Sequence, residues 1–286
     1  MQKEERQSYD ELLKWGTKKL AKEEIADAAL DAWYLLEFVS GLTRAEFFLK
    51  KEELALQEDT TRYQILIKKR AAHIPLQHLT REQEFMGLSF FVNDKVLVPR
   101  QDTECLVERT LPFVKDKRVL DMCTGSGCIA ISLALLGKPA FCMGADYSKE
   151  ALLVAQKNAK DLQAEVVFVQ GDLFENVEGI FDVIVSNPPY IPPKVIETLS
   201  PEVKEHEPYM ALDGGEDGLL FYRRIAKEAK AHLAEHAGLF LEIGCEQGLA
   251  VSNLLESEGY REVMIYKDYA GKDRIVTGRY EYVAQK

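Results

Sequence analysis

Two rhythms of apolar and polar residues divide the chain near residue 80. Before it, apolar positions recur at helical spacing. Leu30, Trp33, Leu36 and Phe38 to Val39 fall on successive turns, and Gly41 stands where a left-handed residue would end the helix. Ser8-Tyr9-Asp10-Glu11 and Thr43-Arg44-Ala45-Glu46 each fit a capping box, in which hydroxyl and glutamate satisfy each other's orphan backbone donors. A further apolar set, Tyr63, Ile65, Leu66 and Ile67, runs towards Ile74-Pro75, where proline discourages continuation. Residues 1–80 are therefore predicted to form a small helical bundle whose aromatic residues are core rather than binding surface.

From Phe85 the rhythm changes. The run FMGLSFFV, then Asn93-Asp94, then KVLVP, predicts a β-hairpin turning at Asn93-Asp94 and linking the two regions over residues 81–98. After Pro99, strand-like segments at Arg118 to Met122, Ala140 to Asp146, Glu165 to Val169, Phe181 to Ser186, Gly238 to Ile243 and Glu262 to Tyr266 alternate with helical stretches such as Lys149 to Asp161 and Leu219 to Ala234. That alternation predicts an α/β domain over residues 99–286, with a mostly parallel sheet covered by helices on both faces.

Composition narrows the classes of function. The 286 residues carry 36 basic and 47 acidic side chains, a net charge of -11, and 47% are apolar. Residues 1–80 are nearly balanced, with 13 basic and 14 acidic side chains, so the acidity belongs to the α/β region. Phosphate-binding surfaces usually have the opposite sign, so no direct nucleic-acid partner is expected. Cys105, Cys123, Cys128, Cys142 and Cys245 form no paired framework and no CxxC, which favours a reducing compartment with mostly buried thiols. The opening MQKEERQSYDELLKWG has no apolar core of a secretory signal. The longest uncharged run, Met122 to Gly137, falls short of a membrane span. A cytoplasmic protein with no membrane partner is expected. His206, the one histidine near a motif, has no second ligand at zinc spacing, and no metal site is predicted.

The first strand of the α/β region runs through Cys123-Thr124-Gly125-Ser126-Gly127 into a helix, as in the first βα turn of nucleotide-binding folds. The next strand ends at Asp146, about 20 residues on, where a carboxylate can accept from two ribose hydroxyls. The third ends in Gln170-Gly171-Asp172-Leu173. There Asp172 can accept from an adenine amine and Leu173 can pack on the adenine face. An adenosine-containing cofactor is favoured. Because Ala130 occupies the tolerated third position of GxGxxG, spacing alone leaves NAD open.

The fourth strand runs into Asn187-Pro188-Pro189-Tyr190. Two prolines lock two φ angles and donate no hydrogen bonds, so neighbouring carbonyls stand as acceptors beside the Asn187 side-chain oxygen. That set suits an NH2 target. The Asn187 side chain and the Pro188 carbonyl could hold both N–H bonds of an amide and aim its nitrogen at a methyl donor without a general base. Tyr190 could stack on the flat target and face a sulfonium.

Taken together, the sequence resembles the release factor glutamine methyltransferases. The resemblance rests on Ile74-Pro75-Leu76-Gln77-His78, Val98-Pro99-Arg100-Gln101-Asp102-Thr103-Glu104, the glycine loop, NPPYIP, Glu207-Pro208 with Ala211-Leu212-Asp213-Gly214-Gly215-Glu216-Asp217-Gly218, Leu241-Glu242-Ile243-Gly244 and Asp268-Tyr269-Ala270-Gly271-Lys272-Asp273-Arg274. It implies a Rossmann-like class I methyltransferase domain behind a helical substrate-recognition domain. The implied activity is transfer of a methyl group from S-adenosyl-L-methionine to the side-chain amide (N5) of the Gly-Gly-Gln glutamine in peptide chain release factors, in translation termination. It also implies that Cys123 to Gly127 line the methionine part of the cofactor, that Asp146 holds the ribose, that Leu173 lies at the adenine and that Asn187 to Tyr190 bind the glutamine. Arg100, Thr103 and Glu104 would edge the pocket, or Thr103 would cap a helix instead.

Cys123 replaces a frequent glycine of the family, and Gln101 interrupts a usual Arg-Pro, leaving the orientation of Arg100 open. The same chemistry would serve a ribosomal-protein glutamine or a DNA or RNA amino group reached by base flipping. A protein that holds the cofactor without turnover is a third reading.

Overall fold

The structure is a computed structural model that describes residues 7–281. Residues 1–6, which open the stretch read above as lacking a secretory core, and residues 282–286 lie outside the described part. The described residues divide into two compact units, one of residues 7–81 with 201–206 and one of residues 82–200 with 207–281.

The first unit contains α1 (Tyr9–Lys22), α2 (Ala28–Ser40), α3 (Arg44–Lys50), α4 (Gln57–Ala71) and α5 (Leu76–Thr80). Both capping boxes form, Ser8 with Glu11 and Thr43 with Glu46, and Gly41 ends α2 in the left-handed region. Leu12, Leu20, Trp33, Leu36, Tyr63 and Ile67 make the core, whereas Leu30 and Phe38 of the predicted apolar stripe stay exposed. One buried ion pair sits among them: Arg70 Nε donates to Asp31 Oδ2 at 2.7 Å, and the same guanidinium pairs with Glu202 of the one-turn helix Pro201–His206.

The second unit opens on a hairpin of β1 (Glu82–Phe85) and β2 (Leu88–Phe91). Its turn is Met86-Gly87, both with positive φ, and not Asn93-Asp94 as the pattern predicted. Two consecutive positive φ values give the turn whose twist matches paired strands. Met86 N also donates to Glu104 at 2.6 Å, a contact distant in sequence. Then follow α6 (Gln101–Thr110), β3 (Arg118–Met122), α7 (Cys128–Gly137), β4 (Phe141–Asp146), α8 (Lys149–Asp161), β5 (Val167–Gln170), β6 (Phe181–Ser186) and α9 (Pro193–Ile196). After α10 (Pro201–His206), which belongs to the first unit, come α11 (Leu220–Glu228), β7 (Leu233–Glu242), α12 (Gly248–Ser257), β8 (Arg261–Lys267) and β9 (Asp273–Arg279).

The seven-stranded sheet has the order β5-β4-β3-β6-β7-β9-β8. The first five strands are parallel, and β9 runs antiparallel between β7 and β8. Alternate residues bury opposite faces. Leu120, Ile184, Leu239 and Leu241 pack with α11 and α12, while Val119, Val183, Val185 and Phe240 pack with α6 and α7. Burial on both faces is why these strands read as nearly continuous apolar runs.

Two elements depart from the pattern. The helix predicted over Leu219 to Ala234 stops at Glu228, and Leu233 already pairs with Phe181 of β6. Strand pairing overrides a helix-favouring sequence there. Strand β9 lies in a stretch that yielded only a motif.

Candidate active site

The strand order reverses between β3 and β6, and ligands of open α/β sheets bind outside the carboxyl ends of strands at such a point. A cavity of about 430 Å³ lies there, within the second unit. Pockets of ~300–1,000 Å³ hold small molecules.

The glycine loop forms one wall. Cys123, Gly125 and Gly127 take φ values of 62°, 55° and 81°, and Gly127 is the N-cap of α7. A Cβ on Gly125 would meet no atom within 4 Å, so its Cα faces open cavity, whereas one on Gly127 would press on Ala155 at 3.1 Å. Cys123 thus holds a left-handed conformation that ordinarily favours glycine. The loop is braced from behind by Asp121, which sequence reasoning passed over as an ordinary strand residue. Asp121 is completely buried; its Oδ2 accepts from Thr124 Oγ1 at 2.6 Å and from Ala130 N at 3.1 Å. Burial pushes its carboxyl up to about 7, against the pull of those two donors. The only signal was an acid placed two residues before the loop.

Asp146, at the end of β4, lines the cavity and also organises it: Oδ2 accepts from Gly125 N and Oδ1 from Ser148 N, both at 2.8 Å. Burial raises its carboxyl above the usual range, and backbone N–H groups oppose the shift. Leu173 is buried in the wall at φ 53°. Asp172 lines the cavity as well, but its Oδ1 is paired with Arg224 Nη1 at 2.8 Å, so Oδ2 is the oxygen left for a ligand.

Strand β6 delivers Asn187 and Pro189 into the same cavity, while Pro188 and Tyr190 stand outside its lining. Tyr190 is partly buried and packs against the core cluster. Its backbone is clamped: Gln247 Nε2 donates to the Tyr190 carbonyl at 3.0 Å and to the Gly218 carbonyl at 3.2 Å. Ile191 N donates to the Leu212 carbonyl, and Gly214 N to the Ile191 carbonyl. A Cβ on Gly214 would lie 2.5 Å from Tyr190 Cα, so only glycine allows this close backbone approach. Gln247 had no sequence signal.

Arg100 and Thr103 line the cavity, but Glu104 does not, because its carboxylate caps Met86 N. Arg100 is fixed by buried Glu207, whose Oε1 accepts from Nη2 at 2.6 Å, so Gln101 leaves its orientation intact. Thr103 does not cap α6, whose N-cap is Arg100; its Oγ1 accepts from Asn187 Nδ2 at 3.3 Å. His206 lies in α10 beside the Ala72 carbonyl. All five cysteines are free, with Cys245 exposed. No group of metal-binding side chains occurs among the described residues.

Comparison with known proteins bears on the family and the fold. Residues 11–80 match the model of the PrmC N-terminal domain, and residues 100–201 that of the Methyltransferase small domain. The release factor glutamine methyltransferase of Agrobacterium fabrum is 38% identical over 271 residues, spanning 92% of this chain and 94% of that protein. The chain belongs to the release factor glutamine methyltransferase family. Its relative from Moorella thermoacetica is 41% identical over 266 residues, with 91% and 94% covered. A methyltransferase structure from Pyrococcus furiosus has a TM-score of 0.55 at 20% identity, covering 78% of this chain and 98% of its own, and shows the shared fold.

The cofactor of this family's methyltransferase domain is S-adenosylmethionine, and the cavity fits it. Gly125 leaves room for close approach, Asp146 offers a carboxylate for ribose hydroxyls, and Leu173 an apolar wall for a purine.

Proposed function

We propose that the chain methylates the side-chain amide nitrogen of the glutamine in the Gly-Gly-Gln loop of peptide chain release factors, using Asn187 and the Pro188 carbonyl as acceptors for the two amide N–H bonds. The observation that carries this reading is the convergence of Asn187, Asp146, Leu173 and the glycine loop on one cavity. S-adenosylmethionine supplies an electrophilic methyl carbon when bound. The protein's own part is to hold a planar amide, a poor nucleophile, so that its nitrogen faces that carbon; positioning and polarisation lower the barrier. The rigid Pro188-Pro189 pair, clamped from behind by Gln247 and Gly214, keeps the acceptors in place.

The helical unit recognises the body of the release factor, since one loop is too small for a standard interface. Leu30, Tyr34 and Phe38 form an exposed apolar row on α2, at 43%, 44% and 42% exposure, and supply a face for it. No helix of the described residues is long and apolar enough to cross a membrane.

Incubating candidate release factors and ribosomal proteins with enzyme and methyl donor, then mapping peptides by mass spectrometry, tests the assignment. One added CH2 on the Gly-Gly-Gln glutamine is expected, and none with Asn187→Ala; label on a ribosomal-protein glutamine instead would displace release factors as substrate. Tyr34→Glu with Phe38→Glu is expected to raise KM for intact release factor but not for a short Gly-Gly-Gln peptide. An unchanged KM would remove that face from recognition.

A further inference from the structure

An asparagine can bind a substrate amide only if its carboxamide is turned the right way. Nδ2 must face the protein so that Oδ1 can accept from the substrate NH2; the reverse orientation sets two donors against each other. The family motif says nothing about what enforces this choice.

Two side chains behind Asn187 do so. In the parallel register of β6 and β7, Ser186 pairs with Leu241, so Asn187, just past the end of β6, lies beside Glu242, the last residue of β7, which is itself paired with Ile275 of β9. Thr103, in the first turn of α6, is 3% exposed, and its hydroxyl accepts from Asn187 Nδ2 at 3.3 Å. Glu242 is 2% exposed, and its Oε2 is wholly buried with no hydrogen-bond partner of regular geometry. The carboxylate nevertheless stands close enough to the Thr103 hydroxyl and the Asn187 amide for both to favour its charged form, and Arg274 acts in the same sense. A buried carboxylate is costly unless its surroundings use it. Here the surroundings are a hydroxyl that needs somewhere to send its proton and an amide that must present N–H groups inward.

We propose that Glu242, acting with Thr103, is the positioning residue that locks the Asn187 carboxamide with Nδ2 inward and Oδ1 towards the substrate glutamine. An ionised carboxylate accepts only, so a neighbouring amide must donate to it directly or through the Thr103 hydroxyl. Protonated, it becomes a donor as well and no longer distinguishes the two orientations. The inference rests on the reading of Asn187 as the amide-binding residue.

Glu242→Gln is isosteric, keeps the packing and offers an NH2 that tolerates either orientation. In the full-length enzyme with intact release factor, kcat is expected to fall ten- to a hundred-fold, with KM and the S-adenosylmethionine Kd within about two-fold. Thr103→Val, which removes the hydroxyl, is expected to lower kcat similarly.

The pH profile separates positioning from mere structure. Burial pushes Glu242 up to about 7, with Asp102 opposing ionisation and Arg274 favouring it; Tyr190, Tyr222 and Cys128 are the other titratable groups facing it. Wild-type kcat should therefore decline below about 7, and Glu242→Gln should lose that limb. Glu242→Gln with wild-type kcat, or with reduced kcat but an unchanged acidic limb, overturns the proposal. If Asn187→Ala is also fully active, the underlying reading of Asn187 falls; if Asn187→Ala is dead while Glu242→Gln is normal, only this inference does.

Discussion

Replacing Gly214 by alanine tests whether the NPPY corner works through rigid placement. The new methyl carbon would lie 2.5 Å from Tyr190 Cα, 2.6 Å from the Tyr190 carbonyl carbon and 3.0 Å from Gly218 Cα. All three are backbone atoms, so no side chain can rotate away. Restoring even the 3.4 Å lower edge of ordinary contact requires a displacement of about 0.9 Å, the difference between the two distances. Gly214 also donates to the Ile191 carbonyl, so the two segments cannot part without losing that bond. Two prolines connect Tyr190 to Asn187 with little freedom to absorb the shift.

A misplacement of about 1 Å costs on the order of a hundred-fold in rate, or roughly 2.7 kcal/mol of barrier. Overpacking of this kind lowers stability by about 1–3 kcal/mol, a drop of roughly 2–4 °C in Tm per kcal/mol. Single-turnover methyl transfer to release factor, with calorimetry of S-adenosylmethionine, measures the two sides separately. The expected result is a large rate loss with cofactor affinity nearly intact, since Gly214 lines no part of the cavity. A Gly214→Ala enzyme that is folded and turns over at the wild-type rate refutes the argument from rigidity.

Asp146→Ala removes an acceptor that serves both the loop and the ribose, so S-adenosylmethionine binding should weaken by at least about 1.5–3 kcal/mol; unchanged calorimetry would take Asp146 out of the site. Asp121 holds its proton up to about 7 in the folded chain, against about 3.9 unfolded, so folding binds a proton across that window and stability falls as pH rises through it. Asp121→Asn should flatten part of that fall in urea midpoints measured from acid to neutral pH, with the raised carboxyls of Glu242, Asp146 and Asp31 acting in the same direction; identical slopes in the two proteins would contradict it. Arg70→Met leaves buried Asp31 without its main partner and should destabilise the helical unit by about 3–5 kcal/mol, read by hydrogen exchange of α2 and α4; exchange at the wild-type rate would show the pair to be dispensable.

Local chemistry made much of the fold legible from the sequence. The capping boxes at Ser8 and Thr43 form because each is complete within four residues. Strands β3 and β6 match their predicted limits because apolar runs buried on two faces are self-announcing. The glycine loop, Asp146, Leu173 and Asn187 were legible for the same reason: each sits at the end of a strand whose register puts it on one sheet edge.

What the sequence determined by itself was the set of elements and the groups they carry to that edge, since propensity, capping and periodicity act over a few residues. Only the tertiary structure decided how those groups are held. Met86-Gly87 turns the hairpin where Glu104 meets it from 18 positions away; Leu233 leaves a helical pattern to pair with β6. Gln247, Gly214, Asp121 and Glu242 acquire their roles from neighbours distant in sequence or across a turn. A carboxylate's proton affinity and an amide's orientation depend on burial and on donors arriving from other elements, and neither has a counterpart in a one-dimensional pattern.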